Sequence, residues 1–252
     1  MSTFSINSVT LSYHIYGEGN PILLLHGGCV DFNYNYLQTG WVETLTKQGY
    51  QVIGLDFRGH GKSDSSADPG FYGLDNLSND AINLIHHLNL KSVAIMGYSM
   101  GTVIALNLLH KHPEFFSKAI LIGTGDVLIG QPPIEKIIQG LGNVFEFETF
   151  PDHLPKHVSA YWTFFKELGL DKESMKAFSK ASYPSLTVEE VSEIRVPTLI
   201  ISGEKDLVLG QGKLVANELV NGEYIEIKNA DHFTLAVEPN THQRAIEYLK
   251  RT

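Results

Sequence analysis

Three features of this sequence predict an α/β fold built on a doubly wound, mostly parallel sheet. It has short, almost unbroken apolar runs, helix-period segments between them, and a length that suits one such core with an insertion. The runs are Ile22 to Leu25, Val52 to Leu55, Val93 to Met96, Ala119 to Ile122 and Thr198 to Ile201. Strands buried on both faces read this way, and a parallel sheet covered by helices is the usual cause. Strand and helix in alternation imply right-handed crossovers.

Taken in chain order, the elements begin with a period-two segment. Val9, Leu11, Tyr13 and Ile15 alternate with Thr10, Ser12, His14 and Tyr16, the pattern of a half-buried strand. Phe4 and Ile6 fit its hairpin partner, with Asn7-Ser8 at the turn, so an antiparallel edge is expected. Helical periodicity runs from about Leu74 to Leu88 through Leu77, Ala81, Leu84 and Ile85. A second helix follows Ser99 to about Lys111. A third spans about Lys213 to Val220, and the last runs from Thr241 to Lys250 after Pro239. Tyr224 to Ile227 is a further short strand. The alternation breaks between about Gly125 and Glu193, a stretch that holds Gly130, Pro132, Pro133, Pro151 and Pro155 and many aromatic residues, Tyr161, Trp162, Phe164 and Phe178 among them. Residues 125–193 are therefore expected to form a mostly helical cap over a core made of residues 1–124 and 194–252.

Composition narrows the function classes. Hydrophobic residues make up 43% and charged residues 19% of the 252, enough apolar material for a large core and unlike a disordered chain. The net charge of -9 repels phosphate backbones and anionic lipid, which argues against nucleic acid or a membrane surface as partner. No apolar stretch reaches the roughly 18 residues needed to cross a bilayer. The opening MSTFSINSVT lacks a basic segment followed by an apolar run, so no signal peptide is expected. With Cys29 as the single cysteine, an internal disulfide is impossible, which fits a reducing compartment. A cytoplasmic protein acting on a small molecule is the expectation; its oligomeric state is not legible.

Gly97-Tyr98-Ser99-Met100-Gly101 lies between an apolar strand and a helix. In that context the pattern reads as a nucleophile elbow, a strained strand-to-helix turn that exposes the serine hydroxyl. Serine needs a base. His232, in Asn229-Ala230-Asp231-His232-Phe233, follows the Tyr224 to Ile227 strand, where α/β enzymes place ligands. His86, His87, His110 and His112 fall on or just after helices and read as surface groups; His26 and His60 sit in glycine-rich loops and read as structural. The base needs a carboxylate to fix its tautomer. Asp206, in Ser202-Gly203-Glu204-Lys205-Asp206, is preferred over Asp126 because Ser99, Asp206, His232 is the chain order this architecture uses. Asp231 is a poorer third choice. Backbone N–H groups for an oxyanion are expected from Met100 and from the loop His26-Gly27-Gly28-Cys29, through Gly28 or alternatively Cys29.

These motifs, with Gly54-Leu55-Asp56-Phe57-Arg58-Gly59-His60-Gly61-Lys62-Ser63 and Gly203-Glu204-Lys205-Asp206, resemble the α/β-hydrolase superfamily. The likeness is to its capped esterase, lactonase and carbon–carbon bond hydrolase branch. The resemblance implies a serine hydrolase of carboxylesterase type that forms an acyl-enzyme and needs no metal or organic cofactor. It also implies that the Asp56 to Ser63 loop is a structural support. Family members that open epoxides or displace halide carry a carboxylate at the elbow; Ser99 disfavours those activities. Hydrolysis of a carbon–carbon bond or a lactone, and a hydrolase-like receptor with little turnover, stay open as alternatives.

Overall fold

The computed structural model of the chain describes residues 1–129, 134–151 and 154–251. Gly130, Pro132 and Pro133, which mark the expected start of the cap, lie outside the described residues. The strands are β1 (Ser2–Ile6), β2 (Val9–Tyr16), β3 (Asn20–Leu25), β4 (Tyr50–Leu55), β5 (Val93–Tyr98), β6 (Phe116–Ile122), β7 (Thr198–Gly203) and β8 (Gly222–Ile227). The helices among the described residues are α1 (Trp41–Thr46), α2 (Leu74–His87), α3 (Met100–Lys111), α4 (Ile134–Val144), α5 (Lys156–Glu167), α6 (Lys172–Lys180), α7 (Val188–Ser192), α8 (Lys213–Glu218) and α9 (Pro239–Leu249).

The strands form one sheet in the order β1-β2-β4-β3-β5-β6-β7-β8. β1 and β2 form the expected antiparallel edge, and β2 joins β4 antiparallel; every other pairing is parallel. Ile6 pairs with Val9, so Asn7 and Ser8 alone make the turn, with φ of 46° and 70°. Two residues at positive φ are the hairpin turn that matches strand twist, and Asn tolerates it.

Alternate residues of the parallel strands enter two different cores. Leu23, Ile53, Ile95, Leu121 and Ile200 face α2, α3 and α8. Ile22, Val52, Met96, Ile120 and Leu199 face α1 and α9. That is why the runs read as unbroken rather than alternating. At roughly 1.5–3 kcal/mol per buried aliphatic side chain, leaving either face open costs as much as a domain's whole net stability of about 5–15 kcal/mol. Both helix layers are therefore required.

Helix α1 and the preceding Asn33–Leu37 turn have no counterpart in the sequence expectations. Phe32, Tyr36 and Trp41 are buried there against the second core. Between β6 and β7, α4 packs on α5 and α6, whereas α7 packs on the core helices α3 and α8. No helix among the described residues is long and apolar enough to cross a membrane.

Candidate active site

β3 and β5 are neighbours although β4 follows β3 in the chain, so the sheet order reverses between them. A crevice opens at the carboxyl ends of strands at such a switch point. Ser99 follows β5 directly and Gly27-Gly28 follow β3 closely, so both line this crevice.

Ser99 has φ 51° and ψ -114°, a conformation that L residues seldom adopt. The turn is held by its backbone: Ser99 N–H donates to Ile122 C=O at 2.9 Å, and Thr102 N–H and Oγ1 donate to Ser99 C=O at 2.8 and 2.7 Å. The flanking glycines are required by crowding. A Cβ on Gly97 would lie 2.4 Å from the Gly101 carbonyl oxygen, and one on Gly101 would lie 2.0 Å from that of Leu25. The pentapeptide is thus the signature of a helix start pressed against two strand ends.

The structure brings Ser99, His232 and Asp206 together. Ser99 Oγ lies 2.8 Å from His232 Nε2, and His232 Nδ1 lies 2.7 Å from Asp206 Oδ2. All three residues are buried, at 8%, 2% and 6% exposure, so these contacts are made with little competition from water. A carboxylate only accepts, so Nδ1 carries the proton and Nε2 accepts from the serine hydroxyl. Asp206 is itself fixed: its Oδ1 accepts from Val208 N–H (2.9 Å) and Leu209 N–H (3.1 Å). Tyr98 Oη donates to the His232 carbonyl, which pins the histidine loop to the elbow strand.

Asp126 lies elsewhere. Its Oδ1 accepts from Leu214 N–H (2.8 Å) and Val215 N–H (3.3 Å), tying the loop after β6 to the first turn of α8. Asp231 folds back on its own loop, accepting from Phe233 N–H at 3.0 Å and Thr234 N–H at 2.8 Å.

In the loop after β3, Gly27 N–H donates to Asn35 Oδ1 at 2.7 Å and Cys29 N–H donates to His60 Nε2 at 3.2 Å. Among the described residues, the N–H groups of Gly28 and Met100 have no protein acceptor. The Met100 side chain lies beside Gly28. Cys29 is buried, and burial pushes its thiol up to about 12, so it is not a ready nucleophile.

His26 and His60 brace this loop. His26 Nδ1 donates to Gly27 C=O (2.7 Å) and its Nε2 accepts from Phe57 N–H (3.0 Å). His60 Nδ1 donates to Arg58 C=O (3.2 Å), leaving Nε2 to accept from Cys29. Each ring thus uses one nitrogen as donor and one as acceptor, the pattern of neutral imidazole. Burial lowers both, His60 to about 3. Arg58 forms a buried two-point pair with Asp80, at 2.7 and 2.5 Å, and also donates to Phe71 C=O. Its guanidinium is thereby committed to Asp80 of α2 and to the Phe71 carbonyl.

Sequence reasoning missed three residues as site components. Asn35 orders the Gly27-Gly28 loop, and Tyr98 anchors His232. Tyr161, on α5, is 6% exposed, packs edge-on against Phe233 at 5.7 Å, and lines both cavities that border Ser99. Tyr98, inside the elbow motif, and Tyr161, among the aromatic residues of the expected cap, carried a sequence signal; Asn35 carried none.

A family model described as alpha/beta hydrolase fold matches residues 20–184. A Bacillus subtilis AB hydrolase superfamily protein, YisY, is 26% identical, with 89% of each chain covered. The 3-oxoadipate enol-lactonase 2 of Acinetobacter baylyi is 24% identical over 97% of this chain and 94% of its own. Among solved structures, the enol-lactonase from Burkholderia xenovorans LB400 superposes with a TM-score of 0.78 at 23% identity, covering 99% of this chain and 100% of that one. Sheet order, elbow and family match agree: this chain belongs to the α/β hydrolase fold family and is a hydrolase.

Proposed function

We propose that the chain is a serine hydrolase that cleaves a carboxylic ester of a small, partly apolar substrate through an acyl-enzyme on Ser99. The observation that carries this reading is the continuous chain of contacts from Ser99 Oγ to His232 to Asp206, at 2.8 and 2.7 Å. His232 Nε2 takes the hydroxyl proton as Ser99 Oγ attacks the carbonyl carbon. Asp206 holds the histidine tautomer and stabilises the imidazolium. The N–H groups of Gly28 and Met100 are free to receive the oxyanion. His232 then protonates the leaving alcohol. In the second half, it activates water, which attacks the acyl carbon and regenerates Ser99. Within the expected cap of residues 125–193, helices α4, α5 and α6 serve as the cover, with Tyr161 of α5 lining the cavities at the nucleophile.

The enol-lactonase relative favours a cyclic ester as a second reading, since a lactone opens by the same steps. An oxoadipate-type lactone carries a free carboxylate, and among the described residues neither cavity that meets at Ser99 is lined by Lys or Arg. A neutral substrate fits better.

Hydrolysis of p-nitrophenyl esters by wild type and Ser99→Ala, with product analysis, tests the proposal. Acid and alcohol products that vanish with Ser99→Ala support it. Equal turnover by the variant, or release of a carbon acid from a diketone with no esterase activity, overturns it.

A further inference from the structure

Two cavities meet at Ser99, and their linings differ. The outer one is about 290 Å³; Tyr34, Asn35, Gln38 and Thr39 give it a polar side, and His232 and Phe233 border it. The inner one is about 50 Å³ and almost wholly apolar, enclosed by Val103 of α3, Ile138 and Leu141 of α4, Phe145 and Leu209. Ser99, Gly28 and Tyr161 border both. His232 borders the outer cavity and not the inner one; Met100 borders the inner cavity and not the outer one.

That asymmetry orients a substrate. The leaving oxygen must lie within reach of His232 Nε2 to collect its proton, so the alcohol portion extends into the outer cavity. The carbonyl oxygen points at the Gly28 and Met100 N–H groups. The remaining substituent on the carbonyl carbon, the acyl chain, then has the inner cavity. A cavity of roughly 150 Å³ admits benzene, and about 10–15 Å³ suffices to hold one water. At about 50 Å³ the inner cavity takes a short aliphatic chain and excludes an aromatic ring.

Resting on acyl transfer at Ser99, we infer that the inner cavity is the acyl site and that the substrate class is esters of short saturated acids, about two to four carbons, with a larger and more polar alcohol in the outer cavity. Ile138 and Leu141 set the chain-length limit. Ile138 borders the inner cavity alone, so a bulkier residue there fills it. Leu141 also borders a groove between α4 and α5, so truncating it joins the two spaces.

The test is kcat/KM for p-nitrophenyl acetate, butyrate, octanoate and benzoate with wild type, Ile138→Phe and Leu141→Ala. Fitting or excluding one methylene in an apolar pocket changes the rate by roughly 10- to 200-fold. The wild type is expected to prefer acetate and butyrate over octanoate and benzoate by at least about tenfold. Ile138→Phe should lower butyrate relative to acetate by a similar factor, and Leu141→Ala should raise octanoate relative to butyrate. A flat or long-chain profile in the wild type, or variants that leave these ratios unchanged, overturns the acyl-site assignment while Ser99-dependent turnover keeps the hydrolase reading. Phosphorylation of Ser99 by diethyl p-nitrophenyl phosphate without turnover of any short-chain ester refutes the substrate class alone. Failure of both turnover and phosphorylation refutes the nucleophile and the inference with it.

Discussion

Replacing Asp206 by Asn separates geometry from charge at this site. In the native chain, Asp206 Oδ1 is committed to the Val208 and Leu209 N–H groups, and Oδ2 faces His232 Nδ1 at 2.7 Å. An asparagine has one oxygen. Two backbone donors already demand an acceptor at the Oδ1 position, so the amide oxygen settles there and the NH₂ group falls on His232 Nδ1. That nitrogen must then accept, which moves the imidazole proton to Nε2. His232 now offers Ser99 a donor where it needs an acceptor, and the hydroxyl proton has nowhere to go. The same exchange in trypsin lowers kcat about 10⁴-fold, which corresponds to roughly 5.4 kcal/mol of barrier at 1.36 kcal/mol per decade. Packing is preserved, so urea unfolding of Asp206→Asn should shift little. Asp126→Asn is the matched control. Asparagine can still accept from Leu214 N–H, so kcat should stay within about twofold and stability within about 1 kcal/mol, the usual scale of such a helix-end contact. The assay is p-nitrophenyl butyrate hydrolysis at pH 7 beside urea denaturation for both variants. A fully active Asp206→Asn, or a larger loss in Asp126→Asn, refutes the assignment of the acid.

Further outcomes follow from the loops that hold the site. Gly101→Ala places a Cβ 2.0 Å from the Leu25 carbonyl oxygen, so strand and helix must part; overpacking of about 1–3 kcal/mol should appear as a lower urea midpoint, with kcat reduced, and an unperturbed variant contradicts the crowding account. His60 is held neutral, lowered to about 3 by burial, whereas in the unfolded chain it titrates near its ordinary 6.5. Between these values the unfolded state binds the extra proton, so stability falls as pH falls, at up to about 1.4 kcal/mol per unit. From pH 7 to pH 5 this residue alone should lower the unfolding free energy by about 2 kcal/mol; burial lowers His26 as well, in the same direction. His60→Asn should be less stable at pH 7 and show a shallower slope between pH 7 and 5, and an unchanged slope argues against a neutral buried imidazole.

Much of the fold was legible because each parallel strand is buried twice over. Ile22 to Leu25 and Thr198 to Ile201 stand out as apolar runs since successive residues feed opposite cores. The elbow was legible for a related reason: Gly97 and Gly101 are demanded by backbone crowding that no other residue tolerates. Asp206 could be preferred over Asp126 by chain order alone, but the actual work of Asp126, tying down α8, depends on a helix of the β7–β8 crossover that the pairing of β6 with β7 brings alongside. Helix α1 escaped detection because it has six residues, starts after Gly40 in a left-handed conformation, and buries aromatic side chains drawn from an irregular turn. Asn35 reaches the site only through the packing of that turn, which leaves no local pattern; Tyr161 stands out as a cap aromatic, but the packing of α5 is what brings it to the site. The division of the crevice into two cavities is likewise a property of how α4 and α5 sit over α3.

The most direct test of the account is acid quenching during turnover of p-nitrophenyl acetate, followed by intact-mass and peptide analysis. The expected result is one acetyl group on the chain, located on the peptide that contains Ser99 and absent from Ser99→Ala. Steady turnover with an unmodified chain, or acetyl on another residue with Ser99→Ala still active, contradicts catalysis through an acyl-enzyme at Ser99.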